Sequence, residues 1–144
     1  MQAAARELGL ALRTFEVHKL DEIQPAFDAM AGASMQAVTP VQGGLFYQAR
    51  AIIPKLAIER RLPMLSYSRE TFEHGALLSY AADQIEMCRR SAVYADKILK
   101  GAKPGDLPVE QPTKFEFLIN LKTAKALDLD VPLHLQQIAD EVIE

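Results

Sequence analysis

Apolar and polar positions alternate with two periods along this chain, and the switches between them mark out its elements. Residues 2–9 carry the end of a helix closed by Gly9, and Leu10–Val17 then alternates with the period of a strand. From Asp21, a possible cap, to about Gly32 the period lengthens to that of a helix, with Ile23, Phe27 and Met30 on one face. Met35–Thr39 reads as a short buried strand. A helix follows from about Leu45 to Arg61, with Ile52, Ile53, Leu56 and Ala57 at helical spacing, and Pro54 inside it predicts a kink or a late start.

The second half continues in the same manner. Pro63 introduces a strand over 64–67, and a turn over 70–75 leads to a strand over 76–80. Asp83 opens a helix that runs to Lys100 and stops at Gly101. The Pro- and Gly-bearing stretch 101–112 reads as a crossing loop before a strand over 114–120, in which Phe115, Phe117 and Ile119 alternate. A short helix over 123–127 and another from about Leu133 close the chain. Strands alternating with helices predict an α/β fold, a Rossmann-like parallel sheet flanked by helices.

Composition narrows the function. With 144 residues, 49% of them hydrophobic, the chain can bury one ordinary core. Its net charge of -3, with no basic run longer than a pair, gives no reason to expect nucleic acid as a partner. The single cysteine, Cys88, cannot form an internal disulfide or a multi-cysteine metal site, and its helical setting predicts a buried small apolar residue. No basic segment followed by an apolar stretch opens the chain, and no apolar run approaches the roughly 18 residues of a membrane helix; the chain as given is therefore expected to stay in the cytosol.

In an open parallel sheet a ligand binds beyond the carboxyl ends of the strands, which singles out three segments. The first is Thr39–Leu45, where Thr39, Gln42 and Gly43 are the candidate contacts; Gly43-Gly44 either lets the backbone approach a ligand or simply forms a turn. The second offers Tyr67 as a ring to stack on, Ser68 as a hydroxyl and Arg69 as a fixed positive charge, a set suited to an amino-acid-like solute. Arg69 could equally pair with Glu70 or Glu73. In the third, Tyr80 covers the cleft, and Asp83 either accepts from an ammonium group or caps its helix. His18, His74 and His134 are scattered without metal-ligand spacing, no nucleophile elbow surrounds Ser66 or Ser68, and no dinucleotide glycine pattern follows a strand. These patterns predict no catalytic residues, no metal and no cofactor.

The stretch from Ile98 to Leu127, including Lys103-Pro104-Gly105-Asp106-Leu107-Pro108 and Lys114-Phe115-Glu116-Phe117-Leu118-Ile119-Asn120, closely resembles the closing segment of the substrate-binding proteins of ABC transporters, a family that includes tryptophan and tyrosine binders. Leu62-Pro63, Gly75-Ala76-Leu77-Leu78-Ser79-Tyr80 and Ala139–Glu144 are similar to its middle and terminal sections. Asp128, Ile138 and Gly43-Gly44 depart from the usual pattern. The resemblance implies one lobe of a periplasmic-binding-protein type I fold plus the helix and strand that cross between lobes: 1–82 as second-lobe core, 83–112 as crossover helix and hinge loop toward a first lobe, and 113–144 as returning strand and final helices.

By the same resemblance a full member is extracytoplasmic, periplasmic or membrane-anchored, captures a small solute without chemistry, and delivers it to an ABC permease. A cytoplasmic sensory domain of the same lobe type and a small Rossmann-like enzyme are the alternatives. The helix over 83–100 carries an apolar stripe, Ile85, Cys88, Ala92, Ala95 and Leu99, that predicts self-association of this chain.

Overall fold

The structure is a computed structural model and describes residues 2–144. Helix α1 (Gln2–Glu7) ends where Gly9 takes a positive φ of 68°, the left-handed geometry that glycine adopts at low cost. The alternating stretch 10–17 that follows is not a strand. Leu10 and Leu12 are exposed at 62% and 44%, and a strand exists only where a neighbour takes up its N–H and C=O groups.

A short 3-10 turn (Leu20–Glu22) leads into α2 (Ile23–Gly32), which buries Ile23 and Phe27 as its period requires. Asp21 lies within that turn, and the residue preceding α2 is Glu22, whose carboxylate accepts from the His18 N–H instead. The expected strand over 35–39 is reduced to one parallel bridge between Val38 and Met64. The expected helix over 45–61 is two helices, α3 (Gly44–Gln48) and α4 (Ile53–Glu59), broken by a turn just ahead of Pro54. Proline has no N–H to give and is at home in the first turn of the second helix. Ile23, Phe27, Ala49, Ile53, Leu56, Ala57, Leu62, Met64 and Ala76 form one buried cluster. Arg60 bridges to Asp28 at 2.7 Å and ties the end of α4 to α2.

Strand β1 (Leu65–Ser66) is followed by α5 (Arg69–Glu73), where the sequence suggested only a turn. Ser68 explains the difference: its hydroxyl accepts from the Thr71 N–H at 3.2 Å and closes the first turn of a helix whose Phe72 is fully buried. Gly75, at φ 117°, turns the chain with Ile58 close by, and β2 (Leu78–Ala82) begins two residues later than expected because Ala76 and Leu77 are spent in the core. Helix α6 (Gln84–Leu99) ends at Gly101, with φ 101°. Strand β3 (Phe115–Asn120), α7 (Leu121–Ala126), α8 (Leu133–Ile138) and β4 (Glu141–Ile143) complete the chain. β4, three residues long, was not foreseen.

The sheet has the order β1-β2-β3-β4. β1 pairs parallel with β2 and β3 parallel with β4, while β2 and β3 are antiparallel through five paired positions from Leu78↔Ile119 to Ala82↔Phe115. The α/β class with a sheet flanked by helices stands. The antiparallel pair has a topological cause: the chain leaves the sheet from the carboxyl end of β2, travels through α6, and returns at that same end.

Candidate functional site

Val38, β1 and β2 run parallel, so the segments leaving them emerge at one edge of the sheet. Thr39–Gly43 follows the first, Tyr67 and Ser68 the second, and Asp83 the third. The first two meet. Tyr67 is half-buried, and its hydroxyl faces the Gly43 N–H. Burial pushes the phenol above its ordinary value, with the Gly43 amide pulling the other way. Thr39, Gln42 and Gly43 are exposed at this mouth, and a Cβ placed on Gly43 would meet nothing nearer than Phe46 at 3.9 Å. The backbone here is open to an approaching molecule.

The other candidates are engaged with the protein itself. The Ser68 hydroxyl donates to Thr71 Oγ1 at 2.9 Å while accepting the Thr71 N–H, and Ser66 Oγ donates to the Ser68 carbonyl at 2.8 Å. This small network fixes the turn from β1 into α5, so Ser68 positions its neighbours. Arg69 pairs with neither Glu70 nor Glu73. Its guanidinium reaches Glu116 Oε2 at 3.3 Å and Glu141 Oε2 at 2.8 Å. By strand alternation Glu116 and Glu141 share one face of the sheet, so Arg69 clamps α5 over β3 and β4, and the hydrogen bond it donates to Glu141, then those to Glu116, raise its pKa further. As a partly exposed pair of bridges the clamp contributes about 0–1 kcal/mol per pair.

Tyr80 projects from the opposite face of β2, 58% exposed. It stacks on Phe115 at 5.4 Å and meets Phe117 edge-on at 6.5 Å, an aromatic ladder across β2 and β3. Asp83 caps α6, accepting from the N–H groups of Ile85 and Glu86 at 2.9 and 3.0 Å, and its other oxygen takes Lys114 Nζ at 2.6 Å. The Lys114 ammonium, followed by the Glu86 N–H, holds this carboxyl below the usual aspartate value. The Asp83 N–H also donates to the Lys114 carbonyl at 3.1 Å, so the outgoing and returning chains are joined where both leave the sheet.

Sequence reasoning missed Lys114, Glu116 and Glu141, whose partners are 31, 47 and 72 residues away, with no local signal to announce them. It also missed Ser79, fully buried in β2, whose hydroxyl has no hydrogen-bond partner. Cys88, expected inside, is exposed. Among the described residues no group of His, Cys, Asp and Glu could hold a metal ion, and no helix is long and apolar enough to cross a membrane. A shallow groove of about 360 Å³ lies away from the strand ends, between α6 and the following loop, lined by Arg89, Arg90, Tyr94, Lys97 and Glu110 among others. The strand-end mouth is by contrast a single open wall.

The described residues thus form an open α/β sheet with an exposed loop-and-ring mouth beyond its parallel strands and a joined pair of chains leaving it. The chain belongs to the family of ABC transporter substrate binding proteins, which it matches over residues 1–143. It is 27% identical over 108 residues to the tyrosine-binding protein of Clostridioides difficile, an alignment covering 75% of this chain and 31% of that protein. Among solved structures it superposes on the ABC domain in complex with L-Trp from Streptococcus pneumonia with TM-score 0.88 and 26% identity, covering 98% of this chain and 49% of that one. A conserved domain protein from Vibrio cholerae shares the fold, with TM-score 0.90 and 22% identity over 98% of this chain and 47% of that one. The chain thus spans half or less of the length of these relatives. The family is one of binding proteins and not of enzymes.

Proposed function

We propose that this chain forms one wall of a solute-binding cleft, in which a small organic molecule, an aromatic amino acid or a related organic acid, is held between two lobes and delivered to an ABC permease. Residues 1–82 serve as second-lobe core, 83–112 as crossover helix and hinge loop, and 113–144 as the returning strand and final helices. A whole protein of this kind works outside the cytoplasm. The observation that carries the reading is the meeting of Gly43 and Tyr67 at the carboxyl edge of the parallel strands, in a chain whose family match runs through residues 1–143.

The recognition chemistry follows from what is exposed. Tyr67 supplies a ring face with a hydroxyl at its rim, and Thr39, Gln42 and the Gly43 backbone supply hydrogen-bonding groups beside it. Tyr80 offers a second ring on the crossing strands. Ser68, Arg69 and Asp83 act behind them, holding α5 and α6 where the loops need them. Selectivity in such a cleft comes from contacts and closure, because a ligand shifts an open–closed equilibrium only by its differential affinity for the two states.

A thermal-shift screen with amino acids and small organic acids tests this on two proteins, the 144-residue chain and a version extended upstream to supply a first lobe. The expected result is a saturable shift with one solute class in the two-lobed protein, lost in its Tyr67→Ala variant, and little or none in the single lobe. A panel that shifts neither protein sinks the reading, and a full-strength shift in the short chain alone sinks the two-lobe part of it.

A further inference from the structure

Tyr67 stands at the apex of a turn that is pinned on both sides. Before it, Ser66 is buried in β1, and its Oγ accepts the Ser68 N–H at 3.1 Å while donating to the Ser68 carbonyl at 2.8 Å. After it comes Arg69, the first residue of α5. A cation is the wrong charge for the start of a helix, and Glu73 stands four positions on, within reach of an ordinary ion pair along the helix. Arg69 passes over Glu73 and leaves its own helix. Its Nη1 donates to Glu141 Oε2 at 2.8 Å, and its Nε and Nη2 donate to Glu116 at 3.3 and 3.4 Å.

The two acceptors lie on different strands. Leu118 is the register partner of Glu141, and Glu116 is two positions before it on β3. Two carboxylates this close on one face of a sheet repel, and the guanidinium between them offsets that repulsion. The shorter contact runs to Glu141, on the last strand of the sheet. A chain of contacts therefore leads from Glu141 through Arg69 and the Ser68 turn to Tyr67, whose hydroxyl meets the Gly43 N–H in the loop beyond Val38, at the opposite edge.

We propose that Glu141 is a positioning residue for the candidate binding mouth, setting through Arg69 where the Tyr67 hydroxyl stands against Gly43. That this mouth receives a solute rests on the reading above; the relay itself does not. Only Ser68 separates Arg69 from Tyr67, so a shift of Arg69 carries Tyr67 with it. Ion pairs of this exposure contribute little to stability, so removing one moves the turn without unfolding the protein.

Amide hydrogen exchange followed by NMR on the 144-residue chain tests the relay without any solute. Tyr67→Phe deletes the hydroxyl and gives the Gly43 amide its released rate. Glu141→Gln, which keeps the shape of the side chain and removes its charge, is expected to speed Gly43 exchange about threefold or more, and Arg69→Gln at least as much. Glu116→Gln, at the longer contacts, should do less. On the Tyr67→Phe background Glu141→Gln should add nothing, because the two changes act through one contact. Leu62, in the buried cluster with its N–H bonded to the Ala57 carbonyl at 2.8 Å, should keep its rate in every variant.

A wild-type Gly43 amide that exchanges as fast as in Tyr67→Phe overturns the proposal. So does an unchanged rate in Glu141→Gln, an equal acceleration on the Tyr67→Phe background, or a parallel acceleration at Leu62, which would mean general loosening. A protein that shows the coupling but captures nothing in the thermal-shift screen keeps the role of Glu141 in shaping the mouth and loses the solute.

Discussion

Helices α5 and α6 start in the same way and end in opposite circumstances. Ser68 and Asp83 each cap a first turn with a side-chain oxygen, at 3.2 Å to Thr71 N–H in one case and 2.9 Å to Ile85 N–H in the other. The five-residue α5 then buries Thr71 and Phe72, whereas the 16-residue α6 buries nothing. Burial holds α5 in place, since five residues could not persist as a helix in water without tertiary packing. α6 persists through its length, its cap, its exposed ion pairs and the loop leaning on Tyr94. Capping decides where a helix begins, and packing decides what losing a side chain costs.

Substitutions can sharpen or break this contrast. Phe72→Ala should cost the most, about 3–5 kcal/mol of unfolding free energy in urea denaturation, because the ring is fully buried and the site cannot collapse around the gap. Ser68→Ala removes the cap and leaves Thr71 Oγ1 without its partner, for an expected loss of about 1–2 kcal/mol in the same assay.

At Asp83 the test is one of pH. Its folded pKa is depressed, so its stabilising contribution is present above the unfolded aspartate value near 3.8 and is lost as pH falls through the lowered folded value. The melting temperature of the wild type should therefore fall faster than that of Asp83→Asn as pH drops from about 5 toward 2. Parallel curves for the two proteins would remove the Lys114 bridge from the account. Leu99→Ala should have the smallest effect, within about 0.5 kcal/mol for the monomer. A loss approaching that of Phe72→Ala would mean that α6 is packed after all.

Much of the fold was legible because it is local. Ile23 and Phe27 at helical spacing, Pro54 breaking one helix into two, and Gly101 ending α6 are all signals carried within a few residues. The failures share a cause as well. Leu10–Val17 alternates but finds no ladder partner, and pairing is a property of two segments that no single one displays. β4 is too short to show a period, and its place depends on β3 and on Asp140, which accepts from Phe117 N–H at 2.7 Å. The turn expected over 70–75 was a missed cap, since Ser68 is a residue type that starts helices by accepting from a backbone N–H three residues on. At the candidate site the residue types were legible and their employment was not. Arg69 offered a free cation to sequence reasoning and in the fold belongs to Glu116 and Glu141.

The joint between Asp83 and Lys114 has a mechanical consequence. Two separate tethers leaving a domain let whatever they carry swing in several directions. Here both chains depart as one ribbon, laced by five paired positions of β2 and β3 and then knotted at Asp83–Lys114 through both backbone and side chain. A ribbon resists shear and in-plane bending, and yields by twisting or by bending out of its own plane. α6 and the loop that follows it are therefore held by one two-stranded stem and not by two independent tethers.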